Sequence, residues 1–146
     1  MTIEDVENKI IFKTVWGVFG GNPQIREFWD DETEKRVDVV VSADRPHEYV
    51  SSYSTVALSD KAMNPDGGSD SVGIELVAIC ESSVTSFPNA LAAAGLKVLN
   101  NVQPCQKGSV FLDVLSEYEC SKTMQHLILV EPFLWEGRLI PLELET

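Results

Sequence analysis

The chain has 146 residues, with 23 acidic against 11 basic side chains for a net charge of −12. Hydrophobic residues make up 44% and charged residues 23%, the balance of a globular chain whose length suits a single domain over residues 1–146 with one core. Such a surface repels phosphate backbones and excludes nucleic-acid binding through clustered lysine and arginine; it serves solubility, or it matches a basic protein partner and steers it at low salt.

Thr2 is placed to cap a first helix, with Asp5 in the capping-box position. Gly20, Gly21, Asn22 and Pro23 stop it. The pattern predicts one helix from about Thr2 to Val18, packed through Ile10, Ile11, Phe12, Trp16 and Val18. Gln24 to Trp29 fits a first strand, and Asp30 to Lys35 a charged turn. Arg36 to Ser42 is a clearer strand, with Val37, Val39 and Val41 on one face and Asp38 and Val40 on the other. Arg45-Pro46-His47 is expected to break it, because proline removes a ladder donor. Tyr49 to Leu58 follows as the next strand.

Residues 61–71, rich in Asn, Pro, Asp and Gly, read as a surface loop. Val72 to Cys80 is nearly all apolar and suits a central strand covered on both faces. Glu75 interrupts it, so that position must meet solvent or a partner group. Ser83 to Ser86 offer caps for a second helix, about Phe87 to Asn101, with Phe87, Leu91, Ala94, Val98 and Val102 near one stripe. Gly95 inside that helix costs roughly 1 kcal/mol against alanine, which points to close packing there. Val110 to Val114 is a short strand, His126 to Glu131 a strong one ended by Pro132, and Leu139 to Leu144 another after a Trp135-Glu136-Gly137 turn. Together these elements predict an α+β fold: a central, mainly antiparallel mixed sheet of about 6–8 strands with two principal helices packed on it.

Few residues carry chemistry. No apolar run reaches the roughly 20 residues that span a bilayer. The N-terminus is acidic and lacks a signal-peptide pattern, so the chain reads as cytoplasmic, with no membrane partner. His47 and His126 are the only histidines and form no metal-ligand spacing, and the glycines form no phosphate-cradling motif, so no metal or cofactor is expected. Cys80, Cys105 and Cys120 are odd in number and lack a C-x-x-C pair, which suits reduced structural cysteines. Cys105 sits in a loop beside Lys107, where exposure would favour a thiolate; it is the candidate for a small enzyme, together with a carboxylate pocket. Phe28 and Trp29 lie directly before the run Asp30, Asp31, Glu32 and Glu34. Aromatic residues beside charges are either core or interface anchors.

Tyr53 to Met63, Tyr-Ser-Thr-Val-Ala-Leu-Ser-Asp-Lys-Ala-Met, resembles the Thr-Val-Gly-Met-Ser-Asp-x-x-Met signature of the suppressor of fused (SUFU) family, with Ala57 in place of the glycine. Val37-Asp38-Val39 resembles that family's His-x-Asp-Ile segment, with Arg36 where histidine is usual. Glu75-Leu76-Val77 is similar to its Glu-Leu-Val strand, Gly108 with the following strand to its Gly-aliphatic segment, and Leu127 to Trp135 to its apolar strand ending in Pro-Phe-x-Trp. The chain stops at Thr146 soon after a strand, where family members usually continue, as in a C-terminally truncated piece or a shorter member. The resemblance implies a non-enzymatic protein-binding module without cofactor. Compact bacterial members look like immunity proteins that bind and neutralise a cognate toxin, and a basic toxin domain would suit the charge. A stand-alone regulatory scaffold is the other binding role. The expected partner-binding residues are Trp29, Asp30, Asp31, Glu32 and Glu34.

Overall fold

The computed structural model describes residues 3–56, 58, 75–100, 102 and 104–130, with side chains from residue 9 onward. Helix α1 (Ile3–Phe19) leads into β1 (Gln24–Trp29), β2 (Arg36–His47), β3 (Val50–Val56) and β4 (Val77–Glu81). Helix α2 (Phe87–Leu99), β5 (Val110–Phe111), a single turn of helix α3 (Val114–Glu117) and β6 (Leu127–Ile128) follow. The fold is α+β. Among the described residues, four strands form an antiparallel sheet in the order β1-β2-β3-β4, and β5 and β6 form a separate antiparallel pair. A single sheet of about 6–8 strands is therefore not what these residues build. The expected strand at residues 139–144, the turn at Trp135, the loop at 61–71, and Ala57 and Met63 lie outside the described residues.

The period-two alternation of β2 divides the molecule into layers. Val37 and Val39 join Tyr53, Phe87, Leu91, Ala94 and Val98 in the core beneath α2. Val40 and Val56 face the other way and meet Ile11, Val15 and Phe19 of α1, with Val77 and Ile79 beside them. The two principal helices thus cover opposite faces of the sheet. In α1 the buried stripe is Ile11, Val15 and Phe19, while Ile10 and Trp16, expected in the core, are exposed. Trp16 instead stacks at a tilt on Phe12 and donates its indole N–H to Gly21 O at 3.0 Å. Gly20 and Gly21 end the helix at φ +77° and +72°, and a Cβ on Gly21 would lie 3.2 Å from Arg45, so glycine is required there.

Gly95 answers to the close packing its place in a helix implied. A Cβ there would lie 3.3 Å from both γ-carbons of Val37, so α2 crosses β2 at this point nearly backbone to side chain. Along the same stripe Phe87, Leu91, Ala94 and Val98 are buried, but Val102 lies past the helix end and is exposed. Ser86 occupies the cap position without capping; its hydroxyl lies 3.5 Å from Cys120 Sγ, and Pro88 in the first turn supplies the preset φ instead.

Strand boundaries differ from the expected ones: β5 ends at Phe111, with Val114 already in α3, and β6 is Leu127–Ile128 rather than a strand from His126. At β2 and β4 the difference has a side-chain reason. β2 runs through Arg45 and Pro46 to His47, with its register shifting between Ser42 and His47. The missing regular bonds are replaced by β3 hydroxyls: Asp44 N–H donates to Ser51 Oγ at 3.1 Å, and Ser52 Oγ–H donates to Arg45 O at 2.7 Å. β4 starts only at Val77 and is the last strand of its sheet among the described residues, half-buried rather than central. Regular pairing ends at Ser54 and Val77 because Leu76 N–H donates to the Thr55 hydroxyl at 2.8 Å rather than to a carbonyl.

Candidate functional site

The turn between β1 and β2 carries the predicted site residues. Asp30 N–H donates to Lys35 O, and Glu34 N–H to Asp30 O, both at 2.8 Å, closing the loop. Glu34 takes φ 58° at the tip. The Asp30 carboxylate accepts from Glu32 N–H at 3.0 Å and from the Thr33 hydroxyl at 2.9 Å. It also accepts the Asn100 side-chain amide at 2.9 Å. These donors, Thr33 and Asn100 first, hold the Asp30 carboxyl below its ordinary value. Lys35 Nζ donates to Leu99 O at 2.8 Å, a cation on the last carbonyls of α2 where the helix dipole favours it. The turn is therefore clipped to the C-terminus of α2 at two points.

Consequently the five predicted residues split in role. Trp29 is 56% exposed, with the Arg36 guanidinium 5.4 Å from its ring centroid, in cation–π range. Asp31, Glu32 and Glu34 are exposed at the tip. Trp29, Asp30, Asp31 and Glu34 line a shallow open depression. Asp30 alone turns inward, its oxygens taken up by the turn and by α2. Nothing local in the sequence announces that role, since Asn100 lies 70 positions away.

Arg36 ties the turn to the sheet. Its Nε lies 3.0 Å from Asp38 Oδ1 and its Nη1 3.8 Å from Glu27 Oε1. Glu27 and Asp38 are paired directly across β1 and β2. Burial raises the Asp38 carboxyl above its ordinary value; Arg36 opposes that rise and Glu27 adds to it.

The other candidates fare differently. Cys105 is buried rather than exposed, and burial, with Glu75 nearby, pushes its thiol up to about 11. That is a correction: the thiol sits in the core, where Lys107 does not make it a thiolate. All three cysteines are free. His126 Nδ1 accepts Asp113 N–H at 2.7 Å and so braces a turn. Among the described residues no group of three or more His, Cys, Asp or Glu side chains could hold a metal ion. No helix among them is long and apolar enough to cross a membrane. Glu75, required to meet solvent or a partner group, accepts the Thr55 hydroxyl at 2.8 Å and Leu58 N–H at 3.2 Å.

Thr55, Glu75 and Leu76 belong to the segments whose order resembles one family, and the wider comparison agrees. The family model described as Suppressor of fused protein (SUFU) matches residues 33–146. The chain belongs to the suppressor of fused family. A curated relative, Immunity protein YqcF of Bacillus subtilis (strain 168), is 38% identical over 137 residues, covering 94% of this chain and 71% of the relative. No solved structure matches. The family match takes in Glu34, Arg36, Asp38, Thr55 and Glu75, whereas Trp29, Asp30, Asp31 and Glu32 precede it. In this SUFU-family chain the aromatic–acidic turn thus straddles the start of the family's common part.

Proposed function

We propose that this chain is an immunity-type protein, a non-enzymatic cytoplasmic module that acts as one domain and neutralises a cognate toxin by binding it directly. The observation that carries this reading is the 38% identity to an immunity protein over 94% of the chain. The net charge of −12 supports a basic toxin domain as the partner, because complementary charge speeds encounter and discriminates among partners. The contact face proposed from the sequence is Trp29, Asp30, Asp31, Glu32 and Glu34, of which Asp30 also holds the shape of the turn through its hydrogen bonds. Burial of Cys105 counts against the thiolate form of the enzyme reading.

The test is co-expression with the toxin-domain proteins of the source cell, one at a time, in a host that each of them poisons. Rescue of growth by the chain, with recovery of a stoichiometric complex, is the expected result. Rescue without any complex, or turnover of the toxin by the chain, would refute neutralisation by binding.

A further inference from the structure

We propose that the α1-side face of β1 is a docking surface for a basic protein. Ile25 and Trp29 are its apolar anchors, and Glu27 and Asp38 receive one lysine or arginine of that protein. This rests on the protein-binding reading above and moves its centre from the tip of the turn onto the strand.

Among the described residues, helix α1 packs over Val40, Val56, Val77 and Ile79 of β2, β3 and β4, and no residue of β1 belongs to that apolar cluster. In the register of β1 and β2, Ile25 pairs with Val40, Glu27 with Asp38 and Trp29 with Arg36, so all six project on the α1 side. Among the described residues the strip along β1 is therefore left without a helix over it. Strand faces turned to water ordinarily carry polar residues. This one carries isoleucine and tryptophan, 52% and 56% exposed. The opposite face of β1 is already used, since Phe28 packs against the core beneath α2. Among the described residues β1 thus has apolar residues on both faces and a covering layer on one.

Charge identifies the occupant. Two carboxylates stand in register at Glu27 and Asp38, an arrangement that is repulsive by itself, and Arg36 is the cation seen against both. The trio carries −1, and the tip beside it adds Asp31, Glu32 and Glu34. Covering Asp38, whose ionised form burial already disfavours, with an uncharged surface would deepen the desolvation penalty. A cover that supplies a cation between Glu27 and Asp38 offsets it. A second copy of this chain would set Glu27, Asp31, Glu32 and Glu34 against acidic equivalents, and a nucleic acid would bring phosphates. A basic protein with a lysine or arginine flanked by apolar side chains meets both requirements, in the aromatic-and-arginine setting usual for interface anchors.

The experiment places the photo-cross-linker p-benzoylphenylalanine at Ile25 and, separately, at Leu112, an exposed apolar position in another part of the fold. The full chain is irradiated in the cytosol of its source cell and the cross-linked peptide is sequenced by mass spectrometry. The protein so identified is purified and titrated calorimetrically against wild type, Trp29→Ala, Glu27→Lys and Leu112→Ala, each checked for native circular dichroism. The expected result is a cross-link from position 25 to a peptide containing lysine or arginine. Binding should weaken about 30-fold or more for Trp29→Ala and for Glu27→Lys, as for interface hot spots, and stay within about twofold for Leu112→Ala. A cross-link from position 112 alone, or full affinity in Trp29→Ala, overturns this face while leaving a protein-binding function standing. Absence of any cross-link from either position, with the toxin present, counts against both.

Discussion

Thr55 is fully buried, and its single hydroxyl does two jobs, accepting Leu76 N–H and donating to Glu75, each at 2.8 Å. Valine has nearly the same shape and neither capability. Thr55→Val leaves a buried amide and a partly buried carboxylate without that partner, and each such loss costs about 1–3 kcal/mol. A loss of about 3 kcal/mol in urea denaturation is therefore expected, and a change below about 1 kcal/mol would show that the two groups find other partners. Cys105 gives a second prediction at this scale. With its thiol pushed up to about 11 by burial, it should resist iodoacetamide at pH 7.5 in the native protein and react promptly in guanidinium; rapid native labelling would restore it as a nucleophile candidate. Asp30 gives a pH dependence. Its folded value lies below the ordinary 3.8, so its contribution is complete at neutral pH and is lost as pH falls from about 3.8 through the lowered folded value. Asp30→Ala should lower the thermal midpoint at pH 7, and the gap from wild type should narrow below pH 4. Asp38, shifted the other way, has the opposite sign: holding it ionised disfavours the native state at neutral pH, and acidification through its raised value relieves that.

Helix α2 shows how much an element can reveal of itself. Its start, its stripe as far as Val98 and the meaning of Gly95 are legible in sequence, because a glycine inside an otherwise good helix has to be repaid by contact; its end at Leu99, short of Val102, is not. Val37, fully buried and stiff at χ1, lies 3.3 Å from where a Cβ would stand. Gly95→Ala gains about 1 kcal/mol of helix propensity and meets overpacking of about 1–3 kcal/mol. A net destabilisation of about 1 kcal/mol is expected by chemical denaturation, whereas a stabilised variant would mean that the α2–β2 contact yields. What was not legible has equally specific causes. The phase of α1 is blurred by apolar residues all round, Ile10, Ile11, Phe12, Val15 and Trp16, so periodicity cannot choose Ile11, Val15 and Phe19 over Ile10 and Trp16. The ends of β2 and β4 depend on hydroxyls of Ser51, Ser52 and Thr55 replacing ladder partners, which a strand pattern does not encode. The turn at Asp30 to Lys35 was readable as a turn; its attachment to Leu99 and Asn100 was not, because those partners come from α2.

At the scale of the molecule, the sheet divides its two faces unequally. Among the described residues the α2 side carries the larger core, whereas α1 covers three strands and leaves β1 open beside an acidic turn. The docking surface proposed on that acidic and aromatic strip rests on the likeness to an immunity protein. Association driven by opposite charge should be salt-dependent: raising sodium chloride from 50 to 300 mM should slow association with a basic toxin domain about tenfold or more while changing dissociation little. Equal association rates across that range would remove charge as the steering force. The most direct test of the whole scheme is growth protection with the cognate toxin, comparing wild type with Trp29→Ala and Glu27→Lys at matched expression. Protection by wild type and loss of protection in both variants, with native folds retained, is the expected result. Protection undiminished in both variants would contradict the β1 face, and failure of wild type to protect or to form a complex would contradict toxin neutralisation itself.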